Sequence, residues 1–364
     1  MVNWTTPTKG GILRMQKKAL IAMSGGVDSS VAAYLASRDG FSCIGATMQL
    51  HPSDDAARQI EDARSVAQRL DIPFYTLDFR KEFRCEVMDC FVHSYEAGLT
   101  PNPCVVCNQK LKFGRLLDAA LELGCDYVIT GHYARIAQDP QSGRYFLRKA
   151  VDEAKDQSYF LYGLTQDQLS HIRFPLGALT KTEARQIAEA QGFLTAKKKD
   201  SQDICFIPDG DYLSFMIRHT GKQYPAGDFL DRAGNVVGKH NGAVGYTLGQ
   251  RKGLGLSMGE PVYVCAKDMQ NNTVTVGPND ALFSSALRAT NWFWHTIPEL
   301  TAPLRVCAKA RSRMSEQPAT VYPEENGSAR VEFDEPQRAL TPGQAVVLYD
   351  GETVVGGGTI TEIL

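Results

Sequence analysis

Ala19-Leu20-Ile21-Ala22-Met23-Ser24-Gly25-Gly26-Val27-Asp28-Ser29-Ser30 is the stretch on which the fold turns. Its first five residues form an apolar run that reads as a buried parallel strand. Residues 31–36, Val-Ala-Ala-Tyr-Leu-Ala, read as a helix. The Ser/Gly turn between them presents backbone N–H groups at the positive end of a helix dipole, which suits a phosphate. Gly25 and Gly26 allow close backbone approach and positive φ. Ser24, Ser29 and Ser30 add hydroxyl donors. No Gly-Lys-Ser/Thr is present, so this is not a Walker A loop. The competing reading is an ordinary helix start capped by Asp28 or Ser29. The strand in front and the full Ser-Gly-Gly-Val-Asp-Ser-Ser spelling favour the phosphate loop.

Outward from this loop, strands and helices alternate. Residues 41–48 read as a second strand, and Ile60, Ala63, Ala67 and Leu70 recur at helical spacing. Residues 74–77 read as a third strand. Residues 81–95 read as a helix with Phe83, Val87, Cys90 and Phe91 on one face. Residues 108–123 read as another helix, stopped by Gly124, and 127–130 as a strand ending in Gly131-His132. This alternation predicts an α/β class fold with a doubly wound parallel sheet. Ligands sit at the carboxyl ends of such strands, here Met23/Ser24, Met48 and Thr130/Gly131. Two more helices are expected over 165–173 and 181–191. From Pro225 glycine becomes dense and helical periodicity fades, with short strands at 261–266 and 273–276. From residue 286 the pattern is β throughout, with strands at 305–309, 329–333, 345–349 and 354–360, a small antiparallel β-barrel. The expected division is an extension over 1–16, a nucleotide-binding domain over 17–208, a small central domain over 209–283 and a barrel over 284–364.

A chain of 364 residues with 43% hydrophobic content has ample core for two or three domains. The net charge of −2 offers no global basic field for nucleic acid, so any RNA contact must come from local patches. Residues 1–18 are polar, without the apolar centre of a signal peptide. No run approaches a membrane span, so no membrane partner is expected. Nine cysteines without a signal peptide point to the cytoplasm and to chemical use of some thiols rather than disulfide stapling.

Thr100-Pro101-Asn102-Pro103-Cys104-Val105-Val106-Cys107-Asn108 is the second strong signal. Two prolines make a stiff, non-helical entry. They are expected to deliver Cys107 to the start of the next helix, where the dipole lowers a thiol pKa. The Cys104–Cys107 spacing also suits metal or redox chemistry, against the plainer alternative of two inert thiols. There is no second such pair, which argues against a four-cysteine zinc site. Cys205, read alone, is a buried apolar thiol, and Cys43, Cys85, Cys90, Cys125, Cys265 and Cys307 read as packing. His132 follows a strand end and reads equally as a functional side chain or a satisfied loop histidine. Lys155-Asp156-Gln157 and Arg311-Ser312-Arg313 read as polar surface by composition, although a barrel arginine pair can hold phosphates. The lysines at 197–199 read as a solvated linker.

Taken together, SGGVDSS, TPNPCVVCNQKLKFG, TGHYAR, KDQSYFL, KDSQDICFI, GQRKGLGL and PGQAVVLYDGE resemble the tRNA-specific 2-thiouridylase family, a branch of the PP-loop enzymes that cleave ATP to AMP and pyrophosphate. The resemblance runs from about residue 17 to the end. It implies a PP-loop domain, a central domain and a C-terminal barrel. It also implies 2-thiolation of the wobble uridine of tRNAs for Lys, Glu and Gln. By resemblance, Ala22, Met23, Ser24, Gly25, Gly26, Val27, Asp28 and Ser29 hold ATP with Mg2+, with Met48 and Gly131 at the adenine–ribose end. Asn102, Pro103 and Cys104 face the target base, and Lys155, Asp156, Gln157, Arg311, Ser312, His132 and Gln344 contact the anticodon stem-loop. Cys205 carries a persulfide supplied by a cysteine desulfurase or relay protein. Cys107 acts as the nucleophile that releases the sulfur, ending disulfide-bonded to Cys205. Some members carry Asp where this chain has Cys104. The three thiols Cys104, Cys107 and Cys205 therefore leave a second route open, a 4Fe–4S cluster as in related thiolation enzymes. The rival readings are another PP-loop adenylating enzyme, which would lack the Cys107/Cys205 pair, and an ATP-gated RNA-binding module without catalysis.

Overall fold

The computed structural model describes residues 16–51, 56–197 and 204–364. All but the last residue of the expected 1–16 extension lies outside them, as do residues 198–199 of the linker run and 201–203 before Ile204.

The chain alternates as expected. Strand β1 (Lys18–Ala22) leads through the Ser/Gly loop into helix α1 (Val27–Arg38), followed by β2 (Ser42–Gln49), α2 (Ala56–Arg69) and β3 (Phe74–Asp78). Helices α3 (Arg80–Phe83) and α4 (Asp89–Glu96) run on through a π-helical turn at Arg84–Met88. Helices α5 (Pro103–Cys107) and α6 (Leu116–Glu122) run on through a longer π-helical segment, Asn108–Arg115. Next come β4 (Tyr127–Ile129), a hairpin of β5 (Arg135–Gln138) and β6 (Tyr145–Arg148), α7 (Gln166–Ser170), β7 (Ile172–Arg173) and α8 (Lys181–Ala190). The first sheet has the order β3-β2-β1-β4-β7, all parallel. Ala19, Leu20 and Ile21 of central β1 are fully buried, as the apolar run requires. Helix α1 is buried nearly all round, and its Ala32, Ala33 and Ala36 let it approach the sheet closely.

Elements near the sheet edge and in the α3–α4 helix depart from the sequence reading. The helix expected over 165–173 ends at Ser170, and Ile172–Arg173 instead forms edge strand β7, pairing Val128 and Ile129. Cys85 and Cys90 are exposed rather than packed, because the π-helical turn changes which face the helix buries.

The central region opens with helix α9 (Tyr212–Thr220). It continues as a four-stranded sheet, order β10-β11-β8-β9, of β8 (Gly227–Leu230), β9 (Val236–His240), β10 (Tyr263–Asp268) and β11 (Thr273–Gly277). The barrel comprises β12 (Phe283–Trp294), β13 (Leu304–Lys309), β14 (Gln317–Pro323), β15 (Ala329–Arg338), β16 (Ala345–Asp350) and β17 (Thr353–Ile363). All its pairings are antiparallel, and β12 against β17 closes it. The β5–β6 hairpin attaches to the same sheet through Thr353↔Arg148. At the hairpin turn, Arg144 donates to the carbonyls of Trp294 (2.7 Å) and His295 (2.9 Å). One core joins the outer face of the parallel sheet to the barrel, with Leu20, Val128, Tyr159 and Tyr162 packed in the same cluster as Val347, Tyr349 and Val354. The first domain and the barrel therefore hold a shared apolar interior.

Candidate active site

The order of the parallel sheet reverses between β1 and β4, and the crevice at their carboxyl ends is where such sheets bind ligands. The Ser/Gly loop occupies that point. Gly25 has φ +70, and a Cβ there would lie 2.3 Å from the carbonyl oxygen of Gln59 on α2. Gly131 closes the other side, since a Cβ on it would meet the backbone carbon of Asp28 at 2.6 Å and the nitrogen of Ser29 at 2.8 Å. Both positions are open only to glycine. The helix N-cap is Gly26 and makes no side-chain cap, so Asp28 and Ser29 do not act as an ordinary cap. Ser29 Oγ and Ser30 Oγ donate to the Gly26 carbonyl (3.1 and 2.8 Å), and Ser29 Oγ accepts from Ser24 N–H (3.1 Å). These two hydroxyls thus shape the loop, and exposed Ser24 is the serine that faces outward. Met48 lies half-buried near the end of β2, where Met23 N–H donates to the Ala46 carbonyl (2.8 Å) and Thr47 Oγ1 to the Met23 carbonyl (2.6 Å).

Asp28 is held by two groups that sequence reasoning missed. Lys181 Nζ donates to both carboxylate oxygens at 2.8 Å, and Tyr133 Oη donates to Oδ1 at 3.0 Å. Lys181 is the first residue of α8, where a cation opposes the helix dipole. That misplacement behind the Thr180/Glu183 capping box is the signal that could have pointed to a carboxylate partner.

The thiols form the second part. Helical backbone begins at Pro103, not after Cys107, because proline suits the first helical position. Cys104 therefore lies in the first turn and Cys107 at the end of it, contrary to the expected placement of Cys107 at the helix start. The expected acidification is absent. Burial pushes the Cys107 and Cys104 thiols up, and desolvation with Cys107 and Cys104 as neighbours lifts Cys205 to about 11. Cys107 packs with Phe83, Val87 and Leu111, and Phe206 lies against that cluster. Phe206 also meets Phe91 edge-on (5.5 Å between ring centres) and Phe215 (5.1 Å), and Ile207 is fully buried beside them. Cys205, between Ile204 and Phe206, is an exposed residue rather than a buried apolar one, with anchored neighbours, while the surroundings of its thiol still desolvate it. All nine cysteines are free. Among the described residues no three His, Cys, Asp or Glu side chains converge as metal ligands. Cys104, Cys107 and Cys205 do not converge on one metal-ion position.

His132 and Lys112 stand between the two parts. The His132 ring packs against Phe113 (5.5 Å) and Phe174 (5.7 Å), and burial with the nearby Lys112 charge holds its pKa well below the usual histidine range. Its Nδ1 lies 2.6 Å from Thr130 Oγ1 and its Nε2 3.5 Å from Lys112 Nζ. Gln168 Nε2 donates to the carbonyls of Gln109 (3.2 Å) and Phe113 (2.7 Å), which steadies the π-helical segment carrying Lys112. Lys112 had no sequence signal, because the π turn decides which face it takes.

Several residues expected to meet RNA also have structural partners. Gln344 Nε2 donates to the Thr100 carbonyl (2.8 Å) and so ties the barrel to the loop carrying Asn102 and Pro103. Arg311 donates to the carbonyls of Ala339 (3.1 Å) and Leu248 (3.0 Å), joining barrel to central region. Asp156 accepts from Ala150 N–H (2.9 Å) and Ser158 Oγ (2.6 Å), and Gln157 Oε1 accepts from Tyr133 N–H (2.9 Å). Lys155 and Ser312 are half-buried nearby in their own segments. No helix among the described residues is long and apolar enough to cross a membrane.

Comparison with known families matches residues 17–209 to the tRNA methyl transferase HUP domain, 214–278 to the tRNA methyl transferase PRC-barrel domain and 284–360 to the aminomethyltransferase beta-barrel domain. A relative from Clostridioides difficile (strain 630) is 46% identical over 359 residues, covering 96% of this chain and 99% of that protein. One from Moorella thermoacetica is 48% identical over 354 residues, covering 94% and 99%. Both are called tRNA-specific 2-thiouridylase MnmA. Among solved structures, the U34-tRNA thiolase NcsA from Methanococcus maripaludis is 18% identical with a TM-score of 0.37, covering 57% of this chain and 69% of that one. That likeness is too slight to carry an argument.

Proposed function

The chain belongs to the tRNA-specific 2-thiouridylase family, and from that membership we propose how its site does the chemistry. It is a tRNA sulfurtransferase, a PP-loop enzyme of tRNA 2-thiolation. The finer reading is the following. ATP lies along the loop from Ala22 to Ser29, its adenine–ribose end toward Met48 and Gly131, and Asp28 would give Mg2+ a carboxylate beside the phosphates. The wobble uridine of tRNA for Lys, Glu or Gln leaves the anticodon stack and meets Asn102, Pro103 and Cys104. Lys155, Asp156, Gln157, His132, Arg311, Ser312 and Gln344 line the route of the stem-loop.

A uridine C2 oxygen is a poor leaving group. Its attack on the α-phosphorus of ATP expels pyrophosphate and converts it to a good one. The outer sulfur of a Cys205 persulfide, supplied by a cysteine desulfurase or relay protein, then bonds to C2, and AMP leaves with the C2–O pair. Cys107, deprotonated to solvent, attacks Sγ of Cys205. The S–S pair departs on the sulfur now attached to C2, leaving 2-thiouridine and a Cys107–Cys205 disulfide, which an external dithiol reduces. The domain limits 17–208, 209–283 and 284–364 and a cytoplasmic setting, where thiols stay reduced, belong to the same proposal.

The observation that carries it is that Cys107 and Phe206, the neighbour of Cys205, pack into one cluster although far apart in sequence. The test is a single turnover of the persulfidated full chain with unmodified tRNA and Mg-ATP. The expected products are AMP, pyrophosphate and tRNA with one oxygen replaced by sulfur at the wobble uridine. Pyrophosphate release without thiouridine, or thiouridine without AMP, overturns the reading.

A further inference from the structure

Lys112 is a cation with an unusual setting. Two other partly buried lysines have carboxylates, Lys181 with Asp28 and Lys149 with Glu316, whereas Lys267 Nζ is buried without a hydrogen-bond partner and lies over the Tyr95 ring. Among the described residues no carboxylate pairs with Lys112. Its polar neighbour is His132 Nε2 at 3.5 Å. An ammonium can only donate, so Nε2 accepts and the imidazole carries its proton on Nδ1, toward Thr130 Oγ1 at 2.6 Å. The cation therefore rests on a neutral acceptor, and its charge remains uncompensated on the side away from His132.

Lys112 lies in the π-helical segment Asn108–Arg115, one i→i+5 turn after Cys107, whose own apolar cluster takes the preceding residue, Leu111. Its positive charge acts on Cys104, Cys107 and Cys205, in each case against the effect of burial. A cation shared by three sulfurs and backed by a neutral ring is arranged for an anion that is absent from the resting thiol state.

Resting on the reading above, we propose that Lys112 is the positioning residue of the sulfur-transfer step, its ammonium holding the anionic outer sulfur of the Cys205 persulfide toward C2 of the activated uridine. When that sulfur has bonded to C2 and AMP has left with the C2–O pair, the negative charge returns as the Cys107 thiolate. The same ammonium then faces the sulfur that receives the S–S pair. Each charge forms within reach of one fixed cation, so the side chain need not reorganise between the two displacements.

The test uses full-length Lys112→Met and Lys112→Arg, loaded with persulfide, in single turnovers that read pyrophosphate and thiouridine separately. For Lys112→Met, thiouridine formation at saturating ATP and tRNA is expected to fall about a hundredfold, the scale of losing one oriented charge at a reacting centre. Pyrophosphate release and the apparent KM for tRNA should stay within about threefold. Lys112→Arg should regain all but about tenfold of the lost rate, since it restores charge with altered geometry. Thiouridine formation by Lys112→Met within threefold of the parent, an equal fall of both products, or an Arg variant no better than Met overturns the inference. A parent enzyme that releases pyrophosphate but forms no thiouridine overturns the underlying reading instead.

Discussion

The phosphate loop and the thiol wall solve opposite problems with opposite materials. The loop is built from backbone: Gly25 and Gly131 are packed against neighbouring main chain, Ser29 and Ser30 bind the loop's own carbonyl, and Asp28 is neutralised by Lys181. It is rigid before any ligand arrives, which suits a group recognised by N–H donors. The wall is built from apolar side chains that bury Cys107 beside two exposed cysteines, Cys104 and Cys205, whose thiols are also desolvated, with Lys112 as a nearby cation. Resting thiols there are poorly ionised, so in the proposed mechanism reactivity arrives with the persulfide, which is the stronger acid. On that proposal activation is prearranged in the first region and loaded from outside in the second.

That contrast breaks most sharply at the sulfurs. Cys107→Ser and Cys205→Ser are each expected to lower thiouridine formation on the order of a thousandfold or more while nucleotide binding survives, since each removes a bond-forming atom. Equilibrium ATP binding beside a thiouridine assay checks this, and joint loss would mean that the two regions are not separable. The converse change is Gly131→Ala, whose Cβ would enter the backbone at Asp28 and Ser29. ATP affinity should fall about thirtyfold, or about 2 kcal/mol, with Cys205 still accepting sulfur from a small persulfide donor. Phe206→Ala should reduce sulfur transfer about tenfold and stability by about 2 kcal/mol, because a half-buried ring costs less than a fully buried one. Denaturant unfolding and single turnovers read the two effects.

The wall's desolvation has a pH signature. With its thiol lifted to about 11, unloaded Cys205 should be alkylated slowly at pH 7, the rate rising about tenfold per pH unit to pH 9 as thiolate forms. A plateau below pH 8, followed by mass spectrometry of the Cys205 peptide, would contradict a desolvated site. The smallest change is expected from Cys85→Ser with Cys90→Ser. Both lie exposed outside the wall and should alter stability by less than about 0.5 kcal/mol, with both products unchanged.

The loop was legible because its logic is local. An apolar strand, two glycines and an acidic first turn follow one another in sequence, and β1, β2, β3, β4 and α1 lie where their patterns put them. The barrel strands were readable for the same reason. The wall was legible only through its motifs, and the geometry read from them was partly wrong. Proline moved the helix start to Pro103, π turns re-aimed Cys85, Cys90 and Lys112, and Cys205 is an exposed residue beside the aromatic cluster that holds Phe206. Lys181 showed only as a lysine misplaced at a helix start.

By itself the sequence determined the α/β class, the barrel and the identity of the phosphate loop, because periodicity and glycine act over a few neighbouring residues. The tertiary structure alone decided that Phe206 packs into the Cys107 cluster, that Lys181 meets Asp28, and that the β5–β6 hairpin joins the barrel sheet. Those contacts depend on the closing of long loops and on desolvation, which arise only when distant segments pack and water leaves between them.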